Sequence, residues 1–438
     1  MVDMDTIVSL CKRRGFVFQS SEIYGGLAST YDYGPLGIEM KRNIRDSWWR
    51  TFINGRDDCV GIESAILMHP QVWVTSGHLA SFSDPLVECR NCHRRFREDH
   101  LDDASKCPEC DGELTDPRQF NMMLKTFLGP IEDGASQVYL RPETAQGIFV
   151  NFQNVLNSTR RKLPFGIGQI GKSFRNEITV GNFIFRTREF EQMELEYFVK
   201  PGDDEVQHKI WINFCMDWFL GMGITPEKLR IRDHEREELS HYSKATSDIE
   251  YLFPWGWGEL MGIANRTDFD LKAHSDATST RLEYFDEETR EHIVPYVIEP
   301  AIGVDRVLII NLIDAYTEED THTSDGKTEK RTVLKLHPSI APVKVAVLPL
   351  SRNDLLRPKA QQVFDLIRKR FVAQYDDAQS IGRRYRRQDE IGTPLCITID
   401  FQTVEQDDAV TIRDRDTMSQ VRVPISDLLV SLQERLPQ

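Results

Sequence analysis

The sequence predicts an α+β protein in which helices flank an antiparallel sheet, with a cysteine-rich insertion and a smaller C-terminal α/β domain. Three observations predict this class. Polar and apolar residues alternate through two stretches near the middle of the chain, four cysteines cluster early, and strand-like and helix-like patterns follow each other near the end. The length of 438 residues leaves room for roughly two to four domains.

Two strands in the middle of the chain are expected to form an antiparallel hairpin. In residues 193–199 apolar side chains alternate with Glu194 and Glu196, which gives the strand one polar face. Residues 169–177 alternate in the same way, and residues 178–183 between the two stretches contain a turn-forming Gly-Asn pair. The alternation predicts that the two strands pair directly.

Two motif-like patterns in this region are not expected to carry chemistry. Gly166, Gly168 and Gly171 match the G-x-G-x-x-G dinucleotide fingerprint, but strand alternation continues where that fingerprint requires a helix. His234 and His241 miss the H-E-x-x-H spacing of metalloproteases and are expected to lie on an ordinary polar surface. Neither pattern therefore predicts a cofactor or a catalytic metal.

The clustered cysteines predict a structural metal site. Cys89 and Cys92 are separated by two residues, as are Cys107 and Cys110, and two such thiolate pairs can bind one tetrahedral zinc ion. Four thiolates leave no position for water, so zinc here would be structural; free thiols in a knuckle that has lost its metal are the alternative. The other four cysteines are scattered, which fits a reducing, cytoplasmic location better than a disulfide framework.

A change in composition predicts where the domains meet. Residues 315–331 are polar and charged between two apolar stretches, and we expect them to form an exposed linker. Residues 1–314 then form the first domain, with the cysteine-rich insertion at 84–120, and residues 332–438 form the second. The elements expected in the second domain are a strand at 343–350, a helix at 359–373 and a strand at 394–400.

Composition and charge exclude other classes of protein. Hydrophobic residues make up 40% of the chain, which excludes a largely disordered or collagen-like protein. No apolar run approaches the roughly 20 residues of a membrane-spanning helix, and Asp3, Asp5 and the basic residues 12–14 argue against a secretory signal. The net charge of −15 excludes a surface that binds polyanions everywhere, so a nucleic acid would need a local basic patch.

Charged residues around the predicted hairpin suggest an anion-binding site. They are Arg175, Glu177, Arg186, Arg188, Glu189, Glu191 and Glu194. A solvated strand face often carries such a mixture. Downstream, however, Arg306 lies in the first turn of a predicted apolar helix, where the helix dipole disfavours a cation. An anionic ligand at the start of that helix explains this arginine better.

At these residues the sequence resembles the class II aminoacyl-tRNA synthetases and, among them, the dimeric glycyl-tRNA synthetases. Residues 174–177 (Phe-Arg-Asn-Glu) resemble the second motif of that class, and residues 303–306 (Gly-Val-Asp-Arg) resemble the third. Further segments similar to glycine enzymes lie at 31–37, 141–147, 190–194, 241–245, 258–260 and 264–268. The resemblance implies a class II antiparallel sheet with a zinc-knuckle-like insertion and a C-terminal anticodon-binding domain.

The resemblance also implies the reaction and the ATP site. Such ligases are expected to be homodimers without a membrane partner. They condense glycine with ATP, in the presence of Mg²⁺, to form glycyl-adenylate and pyrophosphate, and then transfer glycyl to the 3′ end of tRNA(Gly). Arg175 would bind the α-phosphate and Arg306 the γ-phosphate, which suits planar, bidentate guanidinium groups. Phe190 would stack on adenine, and Glu259 would bind Mg²⁺. The implied ATP residues are Arg175, Asn176, Glu177, Phe185, Arg186, Thr187, Arg188, Glu189, Phe190, Glu259, Leu260, Gly303, Val304, Asp305 and Arg306.

Glycine is expected to bind in a tight, acidic pocket. Its ammonium needs carboxylate partners, and larger amino acids can be rejected sterically without an editing domain. The implied glycine residues are Arg97, Glu143, Phe190, Glu191, Gln192, Met193, Glu194, Glu299, Pro300, Ala301, Ile302 and Gly303, with Arg97 as a carboxylate contact. For each glutamate alone, a surface salt bridge is the alternative. The basic run at 383–387, which includes Tyr385, would contact tRNA; alone it would be a solvated helix face.

Other functions remain open at this point. A class II synthetase for another small or polar amino acid would share both arginine motifs. A synthetase-derived subunit that only binds nucleic acid would be expected to have lost Arg175 and Arg306, and both are present. A zinc-ribbon nucleic-acid-binding protein would leave most of the chain unexplained.

Overall fold

A computed structural model describes residues 2–101, 103, 105–178, 181–240, 242–322 and 328–436. Its helices are α1 Met4–Arg14, α2 Pro35–Trp49, α3 Pro70–Thr75, α4 His78–Ser81, α5 Ala145–Phe149, α6 Phe152–Thr159, α7 Asp204–Gly221, α8 Phe269–Thr278, α9 Val304–Ala315, α10 Leu356–Ile367, α11 Ile381–Glu390 and α12 Leu428–Arg435. Within these described residues, none of the helices combines the length and apolar character needed to cross a bilayer.

The strands, in chain order, are short in the first part and long around the middle. They are β1 Val17–Gln19, β2 Tyr31–Tyr33, β3 Cys59–Gly61, β4 Ser83–Glu88, β5 Arg95–Arg97, β6 Arg118–Asn121, β7 Lys125–Phe127, β8 Gln137–Tyr139, β9 Phe165–Phe174, β10 Glu189–Val199, β11 Leu229–Asp233, β12 Ala245–Phe253, β13 Gly256–Thr267, β14 Tyr284–Asp286, β15 Glu291–Ile293, β16 Tyr296–Gly303, β17 Tyr316–His322, β18 Thr328–Leu334, β19 Val345–Pro349, β20 Ala373–Tyr375, β21 Leu395–Ile399, β22 Ala409–Asp414 and β23 Gln420–Pro424.

A seven-stranded sheet lies at the centre of the first part of the chain. Its strand order is β11-β12-β13-β16-β10-β9-β3, and every neighbouring pair is antiparallel except β3 with β9. The expected pairing of β9 with β10 is present, with Glu194 opposite Gln169. Their connection is longer than the expected turn, because it also holds the one-turn helix Phe183–Phe185. Part of it, residues 179 and 180, lies outside the described residues.

The two faces of this sheet bury different kinds of side chain. On one face, Met193 and Leu195 of β10 pack into the main hydrophobic core together with apolar residues of α2, α7 and α9. On the other face, Phe198 packs against α5, α6 and α8. The same face also carries Glu194 and Glu196, and both side chains are almost completely buried. The polar face of β10 is therefore an internal surface rather than a solvated one.

The glycine pattern in β9 serves close packing. The strand runs through Gly166, Gly168 and Gly171, and an irregular stretch at 175–178 follows it. A Cβ atom on Gly171 would lie 2.2 Å from a guanidinium nitrogen of Arg141, so only glycine fits there without a shift. The absence of a helix directly after β9, within these described residues, agrees with the exclusion of a dinucleotide fingerprint.

The C-terminal part forms a separate five-stranded sheet. Its order is β20-β19-β21-β22-β23, with β19 parallel to both of its neighbours and the other pairs antiparallel. Apolar residues of α10 and α12 pack on one face, and Ile381 and Tyr385 of α11 contact the other. The helix expected at 359–373 starts earlier and ends at Ile367, because the chain returns to the sheet as β20.

Most of the segment expected to be a linker forms an antiparallel hairpin of β17 and β18. Glu319 lies opposite Arg331, and their side chains form a 2.8 Å ion pair. Arg331 also contacts Asp389 of α11 at 2.8 Å, and Arg413 of β22 contacts the same carboxylate at 3.0 Å. Arg331 is only 4% exposed, so a buried ion pair holds the hairpin to the C-terminal domain. The hairpin tip, residues 323–327, lies outside the described residues.

Candidate active site

A cavity of about 410 Å³ opens on the polar face of the seven-stranded sheet. It brings together most of the residues expected to bind ATP or glycine, although they come from distant parts of the sequence. These are Arg97, Glu143, Arg175, Glu177, Phe185, Arg186, Thr187, Phe190, Gln192, Glu194, Glu259, Leu260, Glu299, Ala301, Ile302, Gly303, Asp305 and Arg306. Strands β10, β13 and β16, the start of α9 and the β9–β10 connection contribute most of them.

The other expected site residues do not line this cavity. They are Asn176, Arg188, Glu189, Glu191, Met193, Pro300 and Val304. Strand alternation explains several of them, because Glu191 and Met193 project from the opposite face of β10. Met193 is fully buried in the core, and Glu191 lies 3.3 Å from Lys41. Arg188 instead donates to the carbonyl oxygen of Glu177 and so holds the β9–β10 connection.

Several residues that line the cavity were not expected from the sequence. They are Met122, Ile184, His234, Ser240, Tyr242, Thr246, Asp248, Gly262 and Ala264. The expectation of an ordinary polar surface for His234 was wrong, since its Nε2 lies 2.7 Å from Oδ2 of Asp248 inside the site; His241 lies outside the described residues. Polar residues at every second position of β12 were the available signal for Thr246 and Asp248.

Two arginines of the cavity, Arg306 at one end and Arg175 between the two ends, are held by aromatic rings. The guanidinium of Arg175 lies 5.2 Å from the ring centre of Phe190, and that of Arg306 lies 4.6 Å from the ring centre of Phe185. Arg306 donates at 3.0 Å to both the carbonyl oxygen and a carboxylate oxygen of Glu259. The ring contacts fix the cations and leave N–H groups to face an anion.

Two carboxylates lie beside these arginines, and their pKa values are shifted in opposite directions. The charge of Arg306 lowers the pKa of Glu259. Burial, followed by the negative charge of Glu259, raises the pKa of Asp248 to about 6. Carboxylate oxygens are the protein ligands that Mg²⁺ prefers, and one or two of them suffice when phosphates supply the others. Asp248 and Glu259 therefore fit a magnesium ion bound together with a nucleotide.

The opposite end of the cavity is acidic. Glu143 accepts a hydrogen bond from Gln146 at 3.1 Å and lies 3.3 Å from Nε2 of His78. Burial alone would raise the pKa of Glu143, but His78 and Arg266 outweigh it and keep this pKa well below its usual value. Glu194 accepts from the backbone N–H of Thr144 at 2.8 Å. Burial, followed by the charges of Glu299 and Glu143, raises the pKa of Glu194 to about 8. These carboxylates suit a small cation.

Small residues form the sheet surface between the two ends. Gly262 of β13 lies opposite Ala301 of β16, and Ala264 lies opposite Glu299. All of them line the cavity. A ligand at the acidic end would therefore lie against strands whose side chains are small. A larger side chain in place of Gly262, Ala264 or Ala301 would reduce the volume of the cavity.

Comparison with known proteins identifies the family. Models of the tRNA synthetase class II core domain (G, H, P, S and T) and of the anticodon binding domain match residues 127–314 and 344–435. Glycine–tRNA ligases of Thermobifida fusca and Caldanaerobacter subterraneus subsp. tengcongensis are 55% and 56% identical to the chain, each over 99% of it and over 98% and 99% of their own lengths. The chain belongs to the glycine–tRNA ligase family. The chain has the fold of a class II synthetase and is an ATP-dependent aminoacyl-tRNA ligase.

In this member of the glycine–tRNA ligase family, the cysteine-rich insertion reaches the cavity. Strand β4 pairs with both β5 and β6, and β5 ends at Arg97, which lines the cavity. Arg97 forms ion pairs with Asp84 at 3.0 Å and Asp99 at 2.6 Å. The expected carboxylate contact is therefore presented by the insertion, so its position depends on how the insertion folds.

The four clustered cysteines of the ligase have the geometry of a zinc site. The Sγ atoms of Cys89 and Cys110 are 3.5 Å apart, those of Cys92 and Cys107 are 3.7 Å apart, and all four lie within 4.8 Å of one another. Tetrahedral zinc with Zn–S bonds of about 2.3 Å requires S–S separations of roughly 3.8 Å. These residues fit zinc.

Purified ligase is expected to contain about one zinc ion per chain, because four thiolates form a closed tetrahedral site. The Cys89→Ser/Cys107→Ser double variant should lose the ion and, through Arg97, raise KM for glycine by roughly tenfold. Metal analysis by mass spectrometry and kinetic assays measure both effects. Cys396→Ala, which changes a buried cysteine of the C-terminal sheet, is the control and should keep its zinc. Wild-type protein without bound metal would contradict the prediction.

The basic run in the C-terminal domain is only partly available to a nucleic acid. Arg384 is completely buried and donates to the carbonyl oxygens of Leu350 and Asp376. Arg387 forms a 2.5 Å ion pair with Asp376, and the ring of Tyr385 lies under Arg413 at 4.6 Å. Because Arg413 covers the Tyr385 ring, this part of the run is not placed to contact a nucleic acid. The exposed cations of the run are Arg383 and Arg386.

Proposed function

We propose that the cavity is the site where this glycine–tRNA ligase condenses glycine with ATP. One observation carries the assignment of the site: a single cavity has carboxylates at one end, Arg306 beside two further carboxylates at the other, and Arg175 between them. The acidic end suits the ammonium group of an amino acid, and the arginine end suits a triphosphate. The reacting carboxylate and the α-phosphate would then meet between the two ends.

In the first step, a carboxylate oxygen of glycine attacks the α-phosphorus of ATP, and the bond to the pyrophosphate oxygen breaks. Both partners are negatively charged, so the protein must mainly position them and neutralise charge. Arg175 would bind the α-phosphate and Arg306 the γ-phosphate, with Phe190 against the adenine. Asp248 and Glu259 would hold Mg²⁺, which neutralises charge on the phosphate oxygens. No nucleophilic side chain is needed.

Glycine would be recognised by its ammonium and by its size. Glu143, Glu194 and Glu299 would supply the carboxylates for the ammonium, and Arg97 would contact the glycine carboxylate from the insertion. Larger amino acids would be rejected sterically, as the resemblance to glycine enzymes implies.

In the second step, a hydroxyl of the terminal adenosine of tRNA(Gly) attacks the glycyl carbonyl, and AMP leaves. We assign the C-terminal domain to the tRNA, with Arg383 and Arg386 as phosphate contacts, because a model of the anticodon binding domain matches it. We also propose that the ligase is a cytoplasmic homodimer, which rests on the family resemblance and the free cysteines. Analytical ultracentrifugation of the purified protein tests the dimer.

The test of the function is ATP–pyrophosphate exchange with each of the twenty amino acids separately. Exchange with glycine alone, followed by charging of tRNA(Gly), is the expected result. Exchange with another small amino acid would assign the protein to a different specificity. No exchange from folded protein with any amino acid would favour a subunit that only binds nucleic acid.

The affinity for glycine is expected to rise with pH up to about 8. Glu194 has a pKa of about 8 in the free protein, above its ordinary value, so it is largely protonated at neutral pH. The glycine ammonium stabilises the carboxylate, and binding must therefore release a proton below that pH. Linkage to one proton predicts a KM for glycine roughly fivefold lower at pH 8 than at pH 7.

Steady-state kinetics across this pH range measure the effect, and calorimetry in two buffers with different ionisation enthalpies counts the released proton. Glu194→Gln should bind glycine more weakly and without this pH dependence. A KM that stays constant or increases between pH 7 and 8 would contradict the prediction.

A further inference from the structure

One buried carboxyl group on the cavity side of the sheet is assigned to neither the ATP site nor the glycine site. Glu196 lies on β10, two residues after Glu194 and on the same face. Its exposed fraction is 0%, and within the described part of the chain neither of its carboxyl oxygens has a hydrogen-bond donor. A buried carboxylate without a donor would be strongly destabilising. Its protonation state therefore needs an explanation.

Strand register places a second carboxyl group directly beside it. In the pairing of β10 with β16, Glu194 lies opposite Ala301 and Tyr197 opposite Ile298, which puts Glu196 opposite Glu299. Directly opposed side chains on adjacent antiparallel strands have Cβ atoms about 5 Å apart, and like charges there are unfavourable. Two buried carboxyl groups at this separation do not both ionise.

Among the residues that the structure describes, no cation forms an ion pair with Glu196. Arg266 of β13 is the nearby guanidinium; it pairs with both oxygens of Asp270 on α8, at 2.8 and 2.9 Å, and with Glu299. Glu194 on the same strand adds a negative charge, and β9 offers only Ile167 opposite Glu196. Burial and the charge of Glu299 raise the pKa of Glu196 well above its usual value. Its proton must point to an acceptor, and Glu299 is adjacent.

We propose that Glu196 is a positioning residue of the glycine site, a neutral carboxylic acid that donates a hydrogen bond to Glu299. Arg266 then holds Glu299 from one side and Glu196 holds it from another, so the Glu299 carboxylate stays ionised and fixed where it lines the cavity. The shared proton also keeps the total negative charge of the buried cluster low enough to be stable. The inference rests on the proposed role of Glu299 in binding the glycine ammonium.

Two substitutions at Glu196 separate this role from the alternatives. Glu196→Gln keeps a neutral donor, so KM for glycine should stay within about twofold of wild type. Glu196→Leu removes the donor to an ionised group, and KM for glycine should rise about tenfold while KM for ATP changes little. Glu205→Gln, a control on α7 whose side chain is 72% exposed, should leave both KM values unchanged. A tenfold rise in Glu196→Gln, or equal rises in both KM values in Glu196→Leu, would overturn the proposal.

Infrared spectroscopy of the ligand-free protein tests the protonation state without relying on activity. At about pH 9, where Glu194 is mostly ionised, wild-type protein should show the C=O band of a buried carboxylic acid, and Glu196→Gln should lack it. An identical spectrum for both proteins would overturn the inference. Absence of glycine-dependent exchange in wild type would instead refute the proposed function, so the two failures are distinguishable.

Discussion

Replacement of Arg175 by alanine is expected to lower kcat/KM for glycine-dependent pyrophosphate exchange by about 10²–10³-fold. The side chain lies in the cavity between Phe190 and Phe82, and Nε donates to the carbonyl oxygen of Pro142 at 3.1 Å. These contacts fix the guanidinium before substrate arrives, so it can neutralise the α-phosphate with little reorganisation. Exchange measured at saturating and at low ATP separates losses in kcat from losses in binding.

Two further variants make this result specific. Arg175→Lys keeps the charge but not the planar fork, and should recover only part of the activity. Arg95→Ala removes an exposed arginine that pairs with Glu88 in the insertion and should retain nearly full activity. Activity of Arg175→Ala within a few-fold of wild type would show that another group neutralises the phosphate.

Replacement of Arg266 by leucine is expected to lower the free energy of unfolding by about 3–5 kcal/mol. Arg266 is 1% exposed and compensates two buried carboxylates, Asp270 and Glu299. Without it, both would lie unpaired in the interior of the sheet or would have to take up protons. Urea denaturation followed by circular dichroism measures the loss, and the variant should recover stability at lower pH as the carboxyl groups become protonated.

A surface ion pair of the same sheet provides the matched control. Arg232 of β11 pairs with Glu238, and the two side chains are 37% and 39% exposed. Arg232→Leu should therefore change stability by less than about 1 kcal/mol. Similar losses of stability in the two variants would mean that Asp270 and Glu299 do not depend on Arg266 for compensation of their charge.

Periodicity predicted the central pair of strands, and local spacing predicted the cysteine cluster, because both signals lie within short stretches of sequence. The chain cannot show which strands become neighbours across long connections. Asp248 and Glu259 are close because β12 pairs with β13. His234 directly follows the end of β11, and this places its ring next to Asp248 in the site. Sequence periodicity also did not distinguish a solvated polar strand face from a buried one, so the environment of Glu196 emerged only from the fold.

The hairpin β17–β18 has a consequence for the tRNA. Its Arg331 is held by Asp389 in the C-terminal domain, and Asn43 of α2 donates to the carbonyl oxygens of Ile340 and Ala341. These contacts attach the hairpin to the C-terminal domain and residues 340–341 to α2. If the cavity binds the acceptor end and the C-terminal sheet binds the anticodon, as proposed, a tRNA in which these two parts are separated by a different distance would reach only one of the two sites. Recognition would then depend on the overall dimensions of the RNA as well as on its bases.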